Sequence, residues 1–151
     1  MKQKLIDVCK FKENIFTISS DAKIKDAVFL LNKNNIGCLV VIDDGNIVGI
    51  VSERDILREL GNTSIKNEIH NVKISKIMTP REQLVLGHTG DTIEDLMGYM
   101  DEKNIRHIPL VDEEGKLVCL TSSRDIIKIL LKVSHSKIKY LSDYVEGKYP
   151  G

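Results

Sequence analysis

The feature that most constrains the fold of this chain is an internal duplication. The stretch VGIVSERDI at 48–56 returns as VCLTSSRDI at 118–126, a shift of 70 residues. Upstream, at a shift of 69, two sets of apolar residues have the i, i+3, i+4, i+7 spacing of one helical face. These sets are Ile24, Ala27, Val28 and Leu31, and Ile93, Leu96, Met97 and Met100. The change of the shift from 69 to 70 means that the second copy has one additional residue. This residue falls in a turn, where an insertion costs little stability. One structural unit is therefore used twice.

Each copy is predicted to be a β-α-β-β-α unit, so the fold class is α+β. A short strand near NIFTIS or QLVLG precedes a helix over 22–34 or 91–103. The strand IGCLVVI or IRHIPLV follows, and an Asp/Glu-Gly turn predicts an antiparallel partner, IVGIV or LVCLT. A second helix begins near Ser52 or Ser122. Because a half of about 60 residues is marginal alone, the two sheets are expected to pack together with pseudo-two-fold symmetry.

The expected boundaries are 5–60 for the first repeat, 61–75 for a linker, 76–133 for the second repeat and 134–151 for a partly helical tail. The linker GNTSIKNEIHNVKIS is polar, and Pro80 predicts an extended start to the second repeat. Leu141, Tyr144 and Val145 give the tail a short apolar face. Packing of that face onto the protein's own body is the simpler expectation, and contact with a partner is the alternative.

Composition disfavours several classes of function. Twenty-two basic residues balance 22 acidic ones among 151 residues, so no net charge attracts nucleic acid or anionic lipid. No apolar run has the roughly 18–20 residues of a membrane span, and MKQKLIDVCK lacks the apolar core of a signal peptide. The sequence contains no Walker loop, GxGxxG or nucleophile elbow. We therefore expect no catalysis, no membrane association and no nucleic-acid partner.

Cysteine and histidine usage favours neither disulfides nor metal. Cys9, Cys38 and Cys119 are odd in number and lack CxxC spacing, which argues against a disulfide framework or a zinc site. Cys38 and Cys119 lie in apolar runs, where a free thiol is a small buried side chain. This usage predicts a reducing compartment, the cytoplasm. The four histidines have no metal-ligand spacing, so no metal is expected.

The repeated Ser-x-x-Asp has two interpretations that spacing leaves open. Ser52 and Asp55, like Ser122 and Asp125, have the spacing of a capping box at a helix start. The same start offers unpaired N–H groups to a phosphate, Arg54 or Arg124 can add a planar cation, and the carboxylate can accept ribose hydroxyls. The motif predicts a helix cap and a nucleotide site equally well.

The duplicated unit resembles the cystathionine-β-synthase (CBS) domain, and two in tandem resemble the Bateman module. The resemblance covers about 5–133 and depends on Gly49-x-x-Ser52-x-x-Asp55, IMTPRE, NIRHIPLVDE and both SRDI endings. The ending LSDYVEGKYPG also resembles the tails of short stand-alone bacterial proteins of this kind. The resemblance implies regulatory binding of adenine nucleotides in clefts between the halves.

The resemblance also implies roles for individual residues. Asp55 and Asp125 would hold ribose, and Ser52, Thr121 and Ser122 would face ribose or phosphate. Arg106 and His107 would reach phosphate. The base would be flanked by Gly37, Cys38 and Leu39 and by His107, Ile108 and Pro109. With Thr17, Arg54 and Arg124, these residues are the predicted nucleotide-binding set.

One departure from the family pattern is Cys119, which stands where the first copy has Gly49 and is expected to crowd a ligand near the backbone. The two clefts are therefore expected to differ. The overall prediction is a non-enzymatic regulatory module that binds AMP, ADP or ATP, with NAD and S-adenosylmethionine as further candidates. It is expected to form a homodimer and to signal to a regulated protein. The alternative is a ligand-free interaction scaffold whose Ser-x-x-Asp pairs are only helix caps.

Overall fold

The computed structural model describes Cys9 and residues 15–62 and 68–146. The first repeat contains β1 (Thr17–Ile18), α1 (Ile24–Asn34), β2 (Cys38–Asp43), β3 (Asn46–Ser52) and α2 (Glu53–Gly61). A 3-10 turn (Ile69–Asn71) and α3 (Ile74–Ile77) follow. The second repeat contains β4 (Thr79–Pro80), a 3-10 turn (Arg81–Gln83), β5 (Gly87–His88), α4 (Ile93–Lys103), β6 (His107–Val111), β7 (Leu117–Ser122) and α5 (Ser123–Val145).

The strands form two sheets of related topology, which confirms the predicted α+β fold. One sheet has the order β1-β2-β3-β4 and the other the order β5-β6-β7. In each sheet the first strand is parallel to its neighbour, and the following pair, β2 with β3 or β6 with β7, is the predicted antiparallel hairpin. Strand β4 follows the linker in sequence but pairs with β3 of the first repeat. The extended start predicted at Pro80 therefore joins the sheet of the other repeat.

Recurring turn residues have a backbone explanation. Asn35 and Asn104, which are equivalent in the duplication, end α1 and α4 with φ values of 51° and 52°. Asparagine tolerates this left-handed conformation better than most residues and often ends helices. Asp44 and Gly45 have φ values of 49° and 77°, as a two-residue type I′ hairpin requires. The duplication therefore preserves the asparagine that ends α1 and α4 and a glycine with positive φ in each hairpin turn, Gly45 and Gly115.

Three apolar clusters hold the molecule together. One lies between the helices and sheet of the first repeat, and another has the same place in the second. The third cluster combines Val40 and Ile47 of the first repeat with Val111 of the second. Alternation along β2 explains the arrangement, because Leu39 and Val41 belong to the cluster of their own repeat while Val40 belongs to the shared one. The two sheets therefore pack against each other, as predicted.

The linker is more ordered than its polar composition predicted. The backbone N–H of Ile74 donates to Ala22 at 2.8 Å, and that of Ile24 donates to Val72 at 2.9 Å. Ile74 is fully buried in the core of the first repeat, where Ile69 and Val72 also pack. Three aliphatic residues within six positions, together with these hydrogen bonds, attach residues 68–75 to the first repeat. Residues 63–67 of the predicted linker lie outside the described residues.

Two predicted packing arrangements were wrong. Met97 was expected in the core with Met100, but its side chain is 45% exposed while Met100 is buried. The apolar stripe of α4 is wider than the surface that its sheet covers. At the tail, α5 is one continuous helix whose Leu141 and Val145 remain exposed. No other described element covers these two side chains, so the expected packing onto the protein's own body is absent there.

The cysteine prediction also needs correction. Cys9 and Cys119 form a disulfide, with their Cα atoms 5.9 Å apart. Cys38 is buried and forms no disulfide, as predicted. The bond joins positions 110 residues apart, so no local sequence spacing could have indicated it. The argument from unpaired cysteines to a reducing compartment therefore loses its premise.

Candidate functional site

Two cavities lie between the repeats, and each contains one of the duplicated aspartates. The Asp125 cleft, of about 700 Å³, and the Asp55 cleft, of about 610 Å³, are within the size range of small-molecule sites. The Asp125 cleft is lined by Ile15, Phe16, Asn35, Ile36, Leu120, Ser122, Ser123, Arg124, Asp125 and Lys128. The Asp55 cleft is lined by Ile50, Ser52, Arg54, Asp55, Arg58, Thr79, Glu82, Gln83, Leu84, Val85, Lys103, Asn104 and Ile105. Both are lined by Gly37, Cys38, Glu53, Arg106 and His107.

Each aspartate is fixed at the cleft by hydrogen bonds to its own helix start. The backbone N–H of Ser52 donates to Asp55 Oδ2 at 2.8 Å, and the backbone N–H of Ser122 donates to Asp125 Oδ2 at 2.8 Å. The serine hydroxyls donate to the same oxygens at 3.2 and 2.8 Å. Arg58 Nη1 also lies 3.4 Å from Asp55 Oδ1. The two interpretations of Ser-x-x-Asp are therefore compatible, since the cap holds a carboxylate at the wall of a cavity.

An equivalent cap lies outside the two clefts. At the start of α4, the backbone N–H and hydroxyl of Thr92 both donate to Asp95 Oδ2 at 2.8 Å. Asp95 is exposed and lines neither cavity. The Asp95 cap thus forms the same hydrogen bonds without lining either cleft. Asp95 is an internal comparison for the two aspartates at the clefts.

Strand register brings the remaining predicted residues to these helix starts. Cys38 pairs with Ser52 in one hairpin, and His107 pairs with Ser122 in the other. As a result the first N–H of α2 donates to Gly37 O, and that of α5 donates to Arg106 O, both at 3.0 Å. The residues that begin β2 and β6 therefore meet in the middle of the molecule, where the clefts adjoin.

Five predicted residues do not line the two clefts. Leu39, Ile108, Pro109 and Thr121 are buried, and Thr17 is an exposed residue of β1. Strand alternation explains the buried group in part, because Leu39 and Ile108 point into the cores of their own repeats. Thr121 is fully buried, with its Oγ1 3.7 Å from Cys119 Sγ. The four buried side chains therefore belong to the interior of the protein and are not exposed to either cleft.

The departure at Cys119 has a different consequence from the expected one. Cys119 is buried in the core of the second repeat and lines neither cleft, so it does not crowd a ligand there. Gly49 is needed for the close approach of β3 and β4, because a Cβ at this position would lie 2.5 Å from the Thr79 carbonyl oxygen. The glycine makes room for β4.

Sequence reasoning missed several charged residues of the clefts. Glu53 lines both, and its carboxylate stands beside Gly37, with Oε1 3.4 Å from the position of an added Cβ. Lys128 lines one cleft and Lys103 the other. The position of Glu53 directly after the capping Ser52 could have placed it at the cleft. An acidic residue in the first turn of a helix is common for another reason, however, because it interacts favourably with the helix dipole.

The charges of both clefts suit an anionic ligand that also carries hydroxyls. With histidine neutral, the Asp125 cleft has three cations against two carboxylates, and the Asp55 cleft has four against three. Each therefore has a surplus of one positive charge, beside helix-start N–H groups and a fixed carboxylate. Within the described part of the chain, no group of three or more histidine, cysteine or acidic side chains is placed to hold a metal ion. In the same residues, no helix combines the length and apolarity needed to cross a membrane.

Comparison with known proteins finds a domain family whose profile matches this chain twice. The CBS domain profile matches residues 7–62 and 74–132. A 17.7 kDa protein of Acidianus ambivalens is 32% identical over 135 residues, which cover 88% of this chain and 77% of that protein. The mitochondrial CBS domain-containing protein CBSX3 of Arabidopsis thaliana is 28% identical over 137 residues, which cover 87% of this chain and 64% of the relative. The chain thus spans somewhat less than two thirds of the plant protein.

Two solved structures with bound ligands are also similar. CBSX2 in complex with AMP has a TM-score of 0.71 and 25% identity, with 84% of this chain and 97% of that chain covered. The CBS domain pair of protein MJ0100, in complex with 5′-methylthioadenosine and S-adenosyl-L-methionine, has a TM-score of 0.74 and 25% identity. That match covers 86% of this chain and 97% of the other. With the duplicated sheets and the matched profile, these likenesses show that the chain belongs to the CBS domain family, as a tandem pair.

Proposed function

We propose that this chain is a regulatory module that binds an adenine nucleotide in the clefts between its two repeats. The observation that carries the proposal is that Asp55 and Asp125, fixed by equivalent caps, line separate cavities of 610 and 700 Å³ between the repeats. The AMP in CBSX2 and the two adenosine compounds in the MJ0100 pair support the choice of ligand class. In the proposed pose, each aspartate accepts ribose hydroxyls and the central Arg106 and His107 face phosphate.

The proposed output is a change in how the repeats pack, passed to a regulated partner protein, without catalysis by the module itself. Each cleft has walls from both repeats, so a ligand there contacts both. A ligand can shift the packing only by as much as it prefers one arrangement over another.

Thermal unfolding with AMP, ADP, ATP, NAD and S-adenosylmethionine tests the ligand class. A ligand present at one hundred times its dissociation constant adds about 2.7 kcal/mol to the free energy of unfolding. We expect AMP, ADP or ATP to raise the melting temperature. Asp55→Ala with Asp125→Ala should abolish that rise, because both ribose acceptors are removed.

Asp95→Ala is the matched control. This substitution removes an equivalent cap, so the free energy of unfolding without ligand should fall by about 1 kcal/mol and the melting temperature should fall with it. The increase in melting temperature on addition of nucleotide should be unchanged. The scaffold alternative makes a different prediction. If the Ser-x-x-Asp pairs are caps only, all three alanine variants lower stability and no nucleotide changes the melting temperature of any of them.

A further inference from the structure

The disulfide between Cys9 and Cys119 is the one covalent connection that the described residues make outside the backbone. Cys119 lies in β7, is 1% exposed and belongs to the core of the second repeat. Cys9 is half-buried and packs against the same core. The bond therefore attaches a residue near the start of the first repeat, ahead of β1, to the sheet of the second.

The duplication gives this bond a non-covalent counterpart. Cys119 is equivalent to Gly49 at the shift of 70, and Cys9 is equivalent to Met78 at the shift of 69. In the first repeat, Met78 Sδ lies 2.9 Å from where a Cβ of Gly49 would be. A methionine packed over a glycine thus occupies the place that two bonded cysteines occupy in the second repeat. In the first repeat the attachment is a packing contact, which a reductant does not affect. In the second repeat it is a disulfide, which a reductant can break.

The bond is connected to both walls of the Asp125 cleft. Ile15 and Phe16 come six and seven residues after Cys9 and line that cleft. Leu120, which follows Cys119 directly, lines the same cleft from the second repeat. On the other side, Leu84 and Val85 stand six and seven residues after Met78 and line the Asp55 cleft. Among the described residues, the Asp125 cleft alone therefore has lining residues on both of its walls that lie close in sequence to a reducible bond.

We propose that the Cys9–Cys119 disulfide is a thiol-controlled site that sets the nucleotide affinity of the Asp125 cleft. This inference rests on the proposed nucleotide-binding function. In the oxidised form the bond restrains the wall that carries Ile15 and Phe16, so less freedom is lost when a ligand binds. In the reduced form the wall loses that restraint and the affinity falls. The Asp55 cleft, attached through Met78, is insensitive to reductant.

The chemistry requires a dithiol as reductant. Its thiolate attacks Cys9 Sγ, because Cys119 Sγ is buried, and forms a mixed disulfide while Cys119 leaves as a thiolate that takes up a proton. The second thiol of the reductant then attacks the mixed disulfide and releases Cys9 as a thiol. The reductant loses two electrons and becomes a cyclic disulfide, and the protein gains two thiols.

Calorimetric titration of the full chain with AMP, before and after treatment with dithiothreitol, tests the proposal. Asp55→Ala leaves the Asp125 cleft as the remaining site, and Asp125→Ala leaves the Asp55 cleft. We expect reduction to weaken AMP binding at least about fivefold in Asp55→Ala, the lower end of typical coupling between sites. Reduction should leave the AMP affinity of Asp125→Ala unchanged. Cys9→Ser in the Asp55→Ala background should bind AMP like the reduced protein and should not respond to dithiothreitol.

The possible results separate the two proposals. Equal AMP affinity of Asp55→Ala in both redox states overturns the disulfide control and leaves the nucleotide function standing. Absence of AMP binding to the unsubstituted protein in both states contradicts AMP binding itself. Alkylation of the denatured, unreduced protein followed by mass measurement should modify one cysteine. Modification of three cysteines after air oxidation would overturn the disulfide itself.

Discussion

Arg106 and His107 stand where the two clefts adjoin, at the start of β6. Both residues line both cavities, whereas Arg54 lines only the Asp55 cleft and Arg124 only the Asp125 cleft. A guanidinium in this position can bind the phosphate of a ligand in either cleft. At the residue scale, removal of the Arg106 side chain should therefore weaken ligand binding in both clefts.

We expect Arg106→Ala to weaken AMP binding at both clefts by roughly 10–100-fold, because a hydrogen bond to a charged group contributes about 1.5–3 kcal/mol. Calorimetric titration that resolves the two binding steps would measure this effect. Arg54→Ala and Arg124→Ala are the matched controls, and each should weaken one step alone. If Arg106→Ala weakens only one step, the proposed central position of the phosphate is wrong.

The sequence predicted the residues of the helix starts better than those of the strands. Ser52, Asp55, Ser122 and Asp125 could be placed because a cap has a fixed local spacing. Whether a strand residue faces a cleft or a core depends on which face of its sheet is covered, and that is decided by the other repeat. For this reason Leu39 was assigned to the site although it lies in a core.

At the scale of elements, β4 is the strand that most limits substitution in its neighbour. Its Pro80 pairs with Gly49 of β3, and a Cβ at Gly49 would come within 2.5 Å of the Thr79 carbonyl oxygen. Backbone atoms of a paired strand cannot move aside without loss of the pairing. Gly98, in the exposed face of α4, has nothing within 4 Å of an added Cβ.

Gly49→Ala should therefore destabilise the protein by about 1–3 kcal/mol, as overpacking typically does. Gly98→Ala is the matched control and should stabilise it by roughly 0.5–1 kcal/mol, since alanine is the better helix residue. Urea denaturation of both variants measures the free energy of unfolding. Unchanged stability of Gly49→Ala would mean that β4 does not pack against β3 as described.

Element prediction succeeded where the signal was local and failed where the contact was distant. The periodicity of α1 and α4 and the turns of the two hairpins are local patterns, and the structure confirms them. The packing of Ile74 onto the first repeat and the Cys9–Cys119 bond join distant positions. A single sequence carries no periodic or turn signal for such pairs.

At the scale of the whole molecule, the exposed helix faces suggest a place for a second copy. Helices α1 and α2 are in contact, as are α4 and α5. Their outer faces carry large apolar side chains that are 41–65% exposed, namely Val28, Phe29, Leu57, Leu60, Met97, Ile127, Leu130 and Leu131. We propose that the chain forms a homodimer and that these faces are its contact, because exposed apolar clusters commonly mark interfaces.

Leu57→Glu should then convert the dimer to a monomer, since a charge would be buried without a partner in the contact. Sedimentation velocity at several protein concentrations would measure the change in mass. Val145→Glu is the matched control, because Val145 is 83% exposed but lies at the far end of α5. Dissociation by Val145→Glu alone would instead assign the dimer contact to the tail.

The two residues shared by the clefts, Arg106 and His107, also affect how the whole molecule responds to its ligands. Two anionic ligands held in adjoining clefts would both draw on Arg106 and His107, and their like charges would repel across that point. A phosphate-rich compound in one cleft would then weaken the binding of a second such compound in the other cleft. It would not weaken the binding of an uncharged nucleoside there. Under the proposed function, the second charged nucleotide should therefore bind more weakly than the first.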